Sequence, residues 1–197
     1  YHEINNFCTT DMSKLYIDIT KDRVYVEKKD GRKRRSAQSA MYLILSALTR
    51  LLAPILAFTT EEIWLFMPHT AQDRVESVLL NPMPEVLEKA ARYSELEARY
   101  NAMFDLRDGV MKALEIARAD KLIGKSLEAK VTVWTEDAEK HRLLESFASE
   151  LATLFIVSKA VLVKGRAPED AIKDESSLAV KVELAQGRKC CRCWMQS

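Results

Sequence analysis

Apolar side chains recur every three or four residues through the first two thirds of the chain, a spacing that collects them on one face of an α-helix. Pro54 should end or kink the strongest of these helices, because proline removes a backbone donor and clashes with the preceding turn. Thr59 or Thr60 is then expected to cap a shorter helix. The strongest helix covers residues 36–58, and its apolar stripe consists of Ala40, Leu43, Ile44, Ala47, Leu48, Leu51, Leu52 and Ile55.

Two further segments carry the same helical spacing. A second long helix is predicted from about Pro84 to Asp120, and the opening segment is predicted to be helical in two pieces, with Asp11 and Ser13 as capping candidates. Long helices with short connections, each with one apolar face, pack as antiparallel bundles. The sequence therefore predicts a helical bundle that extends to about residue 123.

The pattern changes after Gly124, where apolar and polar residues alternate as they do in β-strands. The fold class is therefore mainly α, an antiparallel helical bundle followed by a small α+β subdomain. The predicted domains are residues 1–123, 124–186 and a short terminal module at 187–197. The predicted elements of the subdomain are strands at Ala129–Trp134, Ala160–Val163 and Leu178–Leu184, a helix at Asp137–Leu154 and a loop at Lys164–Ser177.

Composition limits the class of protein. The chain has 197 residues, 48% of them hydrophobic, with few glycines and prolines, so a folded domain with a core is expected. The longest apolar run, Leu51–Phe58, is far shorter than the roughly 20 residues of a membrane span, and no leader pattern opens the chain. The first residue is Tyr1 and not Met, which suggests a piece of a longer polypeptide. Sparse cysteines favour a reducing, cytoplasmic setting.

Charge is unevenly distributed although the net charge is only +1. Residues 1–50 carry +4, residues 51–100 carry −4, residues 101–150 carry −2, and residues 151–197 carry +3. Positive charge is therefore concentrated near the start and at the end of the chain, around an acidic middle.

Motifs of catalysis are missing from the sequence. The three histidines lie far apart, the five glycines are isolated, and neither a phosphate-binding glycine loop nor a hydrolase or zinc-protease motif occurs. Carboxylates are frequent, but at helical spacing they are usually solvated. No active site is expected within these residues.

The strongest chemical signal is a C-x-x-C at Cys190 and Cys193, with Cys191 between them. Two thiolates on one tight turn can bind one tetrahedral zinc ion, which needs four ligands, so the motif amounts to half a site. Incidental surface thiols or a redox pair are the alternatives, although a redox motif is expected to open a helix after a strand. Cys8 lies in an apolar context and is expected to be a core residue.

Two cationic segments suggest contact with nucleic acid. Residues 28–35 contain six cations, including Lys33, Arg34 and Arg35, next to a predicted helix start, where phosphate binding is favourable. A solvated charged loop is the alternative. A second patch combines two cations with an aromatic ring that can stack on an unpaired base, and its members are Lys189, Arg192 and Trp194. By contrast, Trp64 and Trp134 lie in apolar patterns and are expected to pack internally.

Five stretches in order along the chain carry a family resemblance: Asp11–Tyr25, Arg34–Gln38, Leu51–Trp64, Ala117–Ala129 and Lys189–Trp194. Together they resemble the C-terminal part of bacterial-type isoleucyl-tRNA synthetases. The first three stretches resemble the related valyl and leucyl enzymes as well, whereas Ile123–Ala129 and the terminal C-x-x-C-W favour the isoleucyl member.

The resemblance implies an anticodon-binding bundle that docks on the anticodon stem-loop of tRNA(Ile), followed by the start of a zinc module. Cys190 and Cys193 would be two of four zinc thiolates, with the other pair in a second C-x-x-C beyond Ser197. Lys33, Arg34 and Arg35 would contact the RNA backbone, and Trp194 would stack on a base with Lys189 or Arg192 assisting. The remainder of the synthetase chain would be a further partner, and a monomer is expected.

The family's catalytic signatures are absent from this sequence. Met12-Ser-Lys14 partly matches the ATP-loop signature, but Asp11 and Leu15 replace its outer residues, so the segment is interpreted as a helix start. ATP and isoleucine would be bound by a catalytic portion outside these residues. Three rival hypotheses remain: an interaction module with a zinc knuckle, a redox protein that uses Cys190 and Cys193, and the equivalent region of a valyl- or leucyl-type enzyme.

Overall fold

The computed structural model describes residues 1–85, 93–173 and 178–196. The chain is mainly helical, with one small mixed sheet, as the sequence predicts. No helix within these ranges is both long and apolar enough to cross a membrane. The helices are α1 (His2–Asn6), α2 (Asp18–Tyr25), α3 (Arg32–Leu52), α4 (Ala57–Phe66), α5 (Ser94–Ala119), α6 (Ala138–Ser146) and α7 (Leu151–Phe155). The strands are β1 (Ala129–Thr135), β2 (Lys159–Lys164), β3 (Ile172–Lys173) and β4 (Ala179–Leu184).

The opening segment is one continuous helical run and not two capped pieces. A π-helical segment, Phe7–Ile17, joins α1 directly to α2. Asp11 and Ser13 lie inside this π-helical segment, so the prediction that they cap a helix was wrong. Cys8 lies in it too and is only half-buried, which contradicts its predicted place in the core.

Pro54 ends α3, as predicted, and the chain turns through residues 53–56 before α4 begins. The helix starts at Arg32, one turn earlier than predicted. Thr60 lies within α4, where its hydroxyl donates to the carbonyl of Leu56, so neither it nor Thr59 is a cap. The predicted start of the next long helix at Pro84 was also wrong, since residues 82–85 are not helical and 86–92 lie outside the described residues.

Contacts divide the chain into two compact units. One contains residues 1–22 and 92–197, and the other contains residues 23–91. This division crosses the predicted domain boundary at residue 123, because residues of the opening helical run and of α5 share a core with the sheet. The domain boundaries at 123 and 186 remain predictions.

The larger unit is built around the sheet, whose strand order is β2-β1-β4-β3. The central strand β1 pairs in parallel with β2 and antiparallel with β4, with Val131 opposite Ala160 on one side and Val182 on the other. Helices α6 and α7 form the crossover between the parallel strands, as β-α-β connections require. The core residues that are fully buried include Met103, Val110, Leu114, Val131, Leu144, Phe155 and Val180.

The smaller unit has a compact core around Trp64, which is 1% exposed. Its indole nitrogen donates to the carbonyl of Arg74, and its ring lies 4.7 Å from that of His69. Ala53, Met67 and Val78 complete this core. The prediction that Trp64 packs internally is confirmed, and Trp134 in β1 is half-buried.

Two features of the α+β region differ from the sequence prediction. The predicted helix at 137–154 is two helices, and Asp137 caps the first by accepting from the N–H groups of Glu139 and Lys140. The predicted loop at 164–177 contains the short strand β3, while residues 174–177 lie outside the described residues.

Candidate nucleic-acid interface

The terminal C-x-x-C lies on a small hairpin, residues 189–196, called here the terminal hairpin. Lys189 pairs with Gln196 as an isolated antiparallel bridge. The N–H of Cys190 donates to the carbonyl of Met195 at 2.9 Å, and the N–H of Trp194 donates to the carbonyl of Cys190 at 2.9 Å. These bonds close a tight turn that holds both predicted zinc thiols on one loop.

The surroundings of the Cys190 sulfur suit a zinc ligand. Backbone N–H groups of Cys193 and Arg192 donate to the sulfur of Cys190 and lower its pKa, as does the thiol of Cys193. Zinc binds the thiolate form, so this turn favours the protonation state that the metal needs. Cys191 is exposed. Among the residues that the structure describes, no group of three or more metal-ligating side chains occurs. Cys190 and Cys193 alone would amount to half of the four ligands that a tetrahedral zinc ion needs.

Ser158, at the start of β2, anchors the terminal hairpin to the sheet. Its hydroxyl donates to the carbonyl of Leu127 and accepts from the N–H of Gln196 at 2.7 Å. Its own N–H donates to the carbonyl of Ala129 at 3.1 Å. The hairpin is therefore attached immediately before β2, beside the first residue of β1.

Replacing Ser158 with alanine is expected to loosen the hairpin, because both bonds of the hydroxyl are lost. Only the bond from Gln196 holds the hairpin itself, and such a bond contributes about 1 kcal/mol, so tryptic cleavage after Lys189 and Arg192 should accelerate about fivefold. Ser146→Ala is the matched control, since its hydroxyl bonds only to Leu143 within α6. Equal cleavage rates in the two variants would contradict the anchoring role.

Trp194 is the exposed centre of the terminal hairpin. The residue is 52% exposed, and its backbone has a positive φ of 65°. The ammonium groups of Lys125 and Lys189 lie 5.2 Å and 5.7 Å from the ring centroid. Arg192 is exposed on the same hairpin. An accessible indole with cations at this range suits stacking of an unpaired base beside a phosphate.

Lys125 is a site residue that sequence reasoning did not identify. Glu128 fixes its loop, because one carboxylate oxygen accepts from the N–H groups of Gly124 at 3.0 Å and Lys125 at 3.1 Å. These two bonds lower the pKa of Glu128, so the carboxylate holds the loop at neutral pH and releases it only on acidification through that pKa. The sequence feature that could have identified Lys125 was its position beside Gly124 in the motif at residues 123–129.

The first basic segment lies in the smaller unit, at the start of α3. Gly31 precedes the helix, and the first turn contains four consecutive cations and no acidic residue. Lys33 and Arg35 are exposed, whereas Arg34 is half-buried and donates to the carbonyl of Glu27 at 3.3 Å. Lys33 and Arg35 therefore present their charge to solvent, and Arg34 also holds the preceding loop.

Comparison with known proteins gives a family match and close relatives. Residues 1–133 match the family model described as the anticodon-binding domain of tRNA ligase. The chain is 46% identical to the isoleucine–tRNA ligase of Syntrophotalea carbinolica over 194 residues, which are 98% of this chain and 20% of that protein. It is 46% identical to the isoleucine–tRNA ligase of Desulforamulus reducens, over 99% of this chain and 21% of that protein.

A third relative, the isoleucine–tRNA ligase of Listeria monocytogenes serotype 4b, is 46% identical over 98% of this chain and 20% of its own length. The chain thus spans about a fifth of the length of the curated relatives that it matches. The match extends through the terminal hairpin as well as the region covered by the family model.

Proposed function

Because this chain belongs to the family of anticodon-binding domains of tRNA ligases, we propose that it recognises the anticodon stem-loop of an isoleucine tRNA as part of an isoleucine–tRNA ligase. The observation that carries the proposal is the exposed Trp194 ring with Lys125 and Lys189 beside it, on a hairpin anchored to the sheet. Relatives that share 46% of its residues over nearly the whole chain are named isoleucine–tRNA ligases.

Single-stranded loops are recognised mainly by stacking and by contacts to splayed bases. Trp194 offers a large accessible π-face, and the two lysine ammonium groups place positive charge where a neighbouring phosphate can lie. Arg192, on the same hairpin, adds a planar guanidinium for hydrogen bonding to a base edge. These residues are proposed to read the anticodon loop.

The start of α3 is proposed to contact the RNA backbone. Cations in the first turn of a helix are disfavoured by the helix dipole, and the first turn of α3 contains no acidic residue to offset them. A phosphate bound there would relieve this repulsion and use the positive end of the dipole. Lys33, Arg34 and Arg35 are the residues proposed for this role.

Cys190 and Cys193 are proposed to hold zinc together with two ligands supplied from outside residues 1–197. When bound, the ion would crosslink the terminal hairpin and add rigidity to the segment that carries Trp194. The chain's own contribution is the lowered pKa of Cys190 and the anchoring through Ser158.

The complete enzyme is proposed to activate isoleucine with ATP and transfer it to the tRNA in the cytoplasm, as a monomer. In this proposal ATP and isoleucine bind outside residues 1–197, and the present residues select the tRNA. Phosphate contacts fix the position of the RNA, while contacts to its bases establish identity.

Titration of the complete polypeptide with an isoleucine anticodon stem-loop RNA tests the proposal. Tight binding that competing stem-loops with other anticodons fail to displace is the expected result. Equal binding of all loops would contradict recognition, and preference for a valine or leucine anticodon would assign the chain to the related enzymes. Zinc stoichiometry measured on the same protein separates a metal knuckle from a redox pair.

The double variant Lys33→Ala and Arg35→Ala is expected to flatten the salt dependence of RNA binding. Each phosphate contact that is lost should reduce the slope of log K against log salt by about 0.7–0.9. Filter binding at a series of salt concentrations measures this slope. The pair Lys164→Ala and Arg166→Ala is the control, because it removes two exposed cations, one at the end of β2 and one in the loop after it. Equal slopes in both double variants would show that Lys33 and Arg35 do not contact the RNA.

A further inference from the structure

Glu128 closes the short loop that leads into β1, residues 124–128, called here the pre-β1 loop. One carboxylate oxygen of Glu128 accepts hydrogen bonds from the backbone N–H groups of both Gly124 and Lys125. The N–H of Glu128 in turn donates to the carbonyl of Lys125 at 2.9 Å, so hydrogen bonds run in both directions across the loop. The backbone of Lys125 is therefore held at its N–H by the side chain of Glu128 and at its carbonyl by the main chain of Glu128.

The carboxylate lies so close to Gly124 that a side chain at that position would disturb it. A Cβ at position 124 would lie 3.1 Å from the oxygen of Glu128 that accepts the two bonds, a closer approach than most side-chain carbons make. Glycine permits such close approaches because it has no Cβ. The missing side chain at position 124 thus allows Glu128 to reach both N–H groups.

The second half of the pre-β1 loop is attached by groups other than this carboxylate. The carbonyl of Leu127 accepts from the hydroxyl of Ser158, and the carbonyl of Glu128 accepts from the N–H of Ala185 at 2.8 Å. These bonds tie the end of the loop to the sheet whatever residue 128 carries as its side chain. The carboxylate of Glu128 acts instead on the first half of the loop, which contains the cation.

The cation that Glu128 holds faces the ring proposed to stack on a base. The ammonium group of Lys125 lies 5.2 Å from the centroid of the Trp194 ring, and all of these residues belong to the larger unit. A long side chain that is ordered only on binding reduces affinity, because its conformational freedom is lost at that step. A lysine whose backbone is already fixed beside the ring avoids part of this cost.

The charge of Glu128 and its hydrogen bonds have opposite expected effects on RNA affinity. A carboxylate repels phosphate, and Glu128 is only half-buried, so its charge alone would weaken binding at the neighbouring hairpin. Its two hydrogen bonds hold Lys125 in place and would strengthen binding. A glutamine separates the two effects, since an amide oxygen accepts hydrogen bonds without carrying a charge.

We infer that Glu128 is a positioning residue for RNA binding, whose carboxylate holds the backbone of Lys125 so that the ammonium group lies beside Trp194 before the RNA arrives. The ammonium group then meets the phosphate next to the stacked base. The inference rests on the proposed function and adds to it that the Lys125 contact is preformed by Glu128 and Gly124.

The position of Lys125 is measured first, in the complete polypeptide without RNA. Reductive methylation with ¹³C-formaldehyde gives each lysine an NMR signal, and the signal that Lys125→Arg removes belongs to position 125. We expect the ring current of Trp194 to displace this signal, and Trp194→Ala or Glu128→Ala to return it to the ordinary lysine position. Glu128→Gln keeps an acceptor oxygen and should keep the displacement. An unchanged signal in Glu128→Ala would overturn the inference.

Filter binding of the isoleucine anticodon stem-loop then measures the effect on affinity. Glu128→Ala is expected to weaken binding about two- to tenfold, the cost of ordering one long side chain, whereas Glu128→Gln should lose less. In a Lys125→Ala background, Glu128→Ala should cause no further loss, because its effect passes through Lys125. A full loss in that background, or equal Kd values for Glu128→Ala and Glu128→Gln, would overturn the inference.

Asp137→Ala is the matched control, since the carboxylate of Asp137 likewise accepts from two backbone N–H groups, at the start of α6. It should change neither the Lys125 signal nor Kd, and a loss equal to that of Glu128→Ala would overturn the inference. Gly124→Ala displaces the carboxylate without removing it, should return the Lys125 signal as Glu128→Ala does, and covers the case in which Glu128→Ala misfolds.

The two proposals fail in different ways. Equal binding of all stem-loops would contradict the proposed function, although the Lys125 signal and the double-variant comparison could still be measured. Selective binding of the isoleucine stem-loop that Glu128→Ala leaves unchanged would overturn the role of Glu128 and leave the proposed function intact.

Discussion

Trp194→Ala is expected to weaken binding of the complete polypeptide to the anticodon stem-loop by about five- to 150-fold. Stacking of one base on an aromatic side chain contributes about 1–3 kcal/mol, and each 1.4 kcal/mol is a factor of ten in Kd. Trp194 is half exposed, and its nearest cationic groups are two lysine ammonium groups 5.2 Å and 5.7 Å from the ring centroid, so loss of the ring should leave the fold intact. Filter binding at fixed salt measures the change in Kd.

Three variants show whether the ring itself causes this loss. Trp194→Gly suits the positive φ and should lose as much affinity as Trp194→Ala, whereas Trp194→Phe keeps a stacking surface and should lose less. Tyr93→Ala removes an aromatic side chain of matching exposure, 54%, and should leave Kd unchanged. If Trp194→Gly bound RNA normally while Trp194→Ala did not, backbone strain and not stacking would be responsible.

Arg107→Ala is expected to destabilise the larger unit by about 2–4 kcal/mol, since a buried hydrogen bond from a charged group and the packing of its aliphatic stem are both lost. Arg107 is 7% exposed, and its Nε donates to the carbonyl of Leu154 at 2.6 Å, near the end of α7. Burial lowers the pKa of the guanidinium, and the carboxylates of Asp18 and Asp108 oppose that shift. The side chain of Arg107 thus joins α5 to α7.

Hydrogen exchange of the complete polypeptide measures this local loss. Amides of α5 and α7 should exchange about 30- to 1,000-fold faster in the variant, if opening of the unit limits exchange. Lys112→Ala on the same helix is the control, because Lys112 is exposed, and such substitutions change stability by about 0.5 kcal/mol or less. Exchange in Arg107→Ala that matched this control would show that α7 is held by apolar packing alone.

The strands and the terminal motif were the most predictable parts of the chain. Alternation of apolar and polar residues located β1 and β4 within a residue, because one strand face must be buried whatever the partner. The strand β3 was missed because two paired residues leave no periodic signal. The C-x-x-C spacing also predicted that Cys190 and Cys193 lie on one tight turn, which the structure confirms.

Helix caps and helix orientation were less predictable. Asp11 has the chemistry of a capping residue, yet the helical run continues through it, since packing and not propensity determines where a long helix ends. The stripe of α3 is an apolar face, but the α3 residues that the structure buries, Ser46 and Thr49 among them, are not part of it. Similarly, Lys125 became a candidate only once folding had placed it against Trp194, 69 positions later in the sequence.

The division of the chain into two units determines the order in which the units can fold during synthesis on the ribosome. Residues 23–91 are inserted between the two parts of the larger unit. A chain is synthesised from its N-terminus at about 5–20 residues per second. The inserted unit, residues 23–91, is therefore complete before α5 and the sheet have been synthesised. The core that contains Ile19 also contains residues of α5 and β4, so it can be completed only after β4 has been synthesised. Folding of the larger unit thus ends with a step that joins the two ends of its sequence.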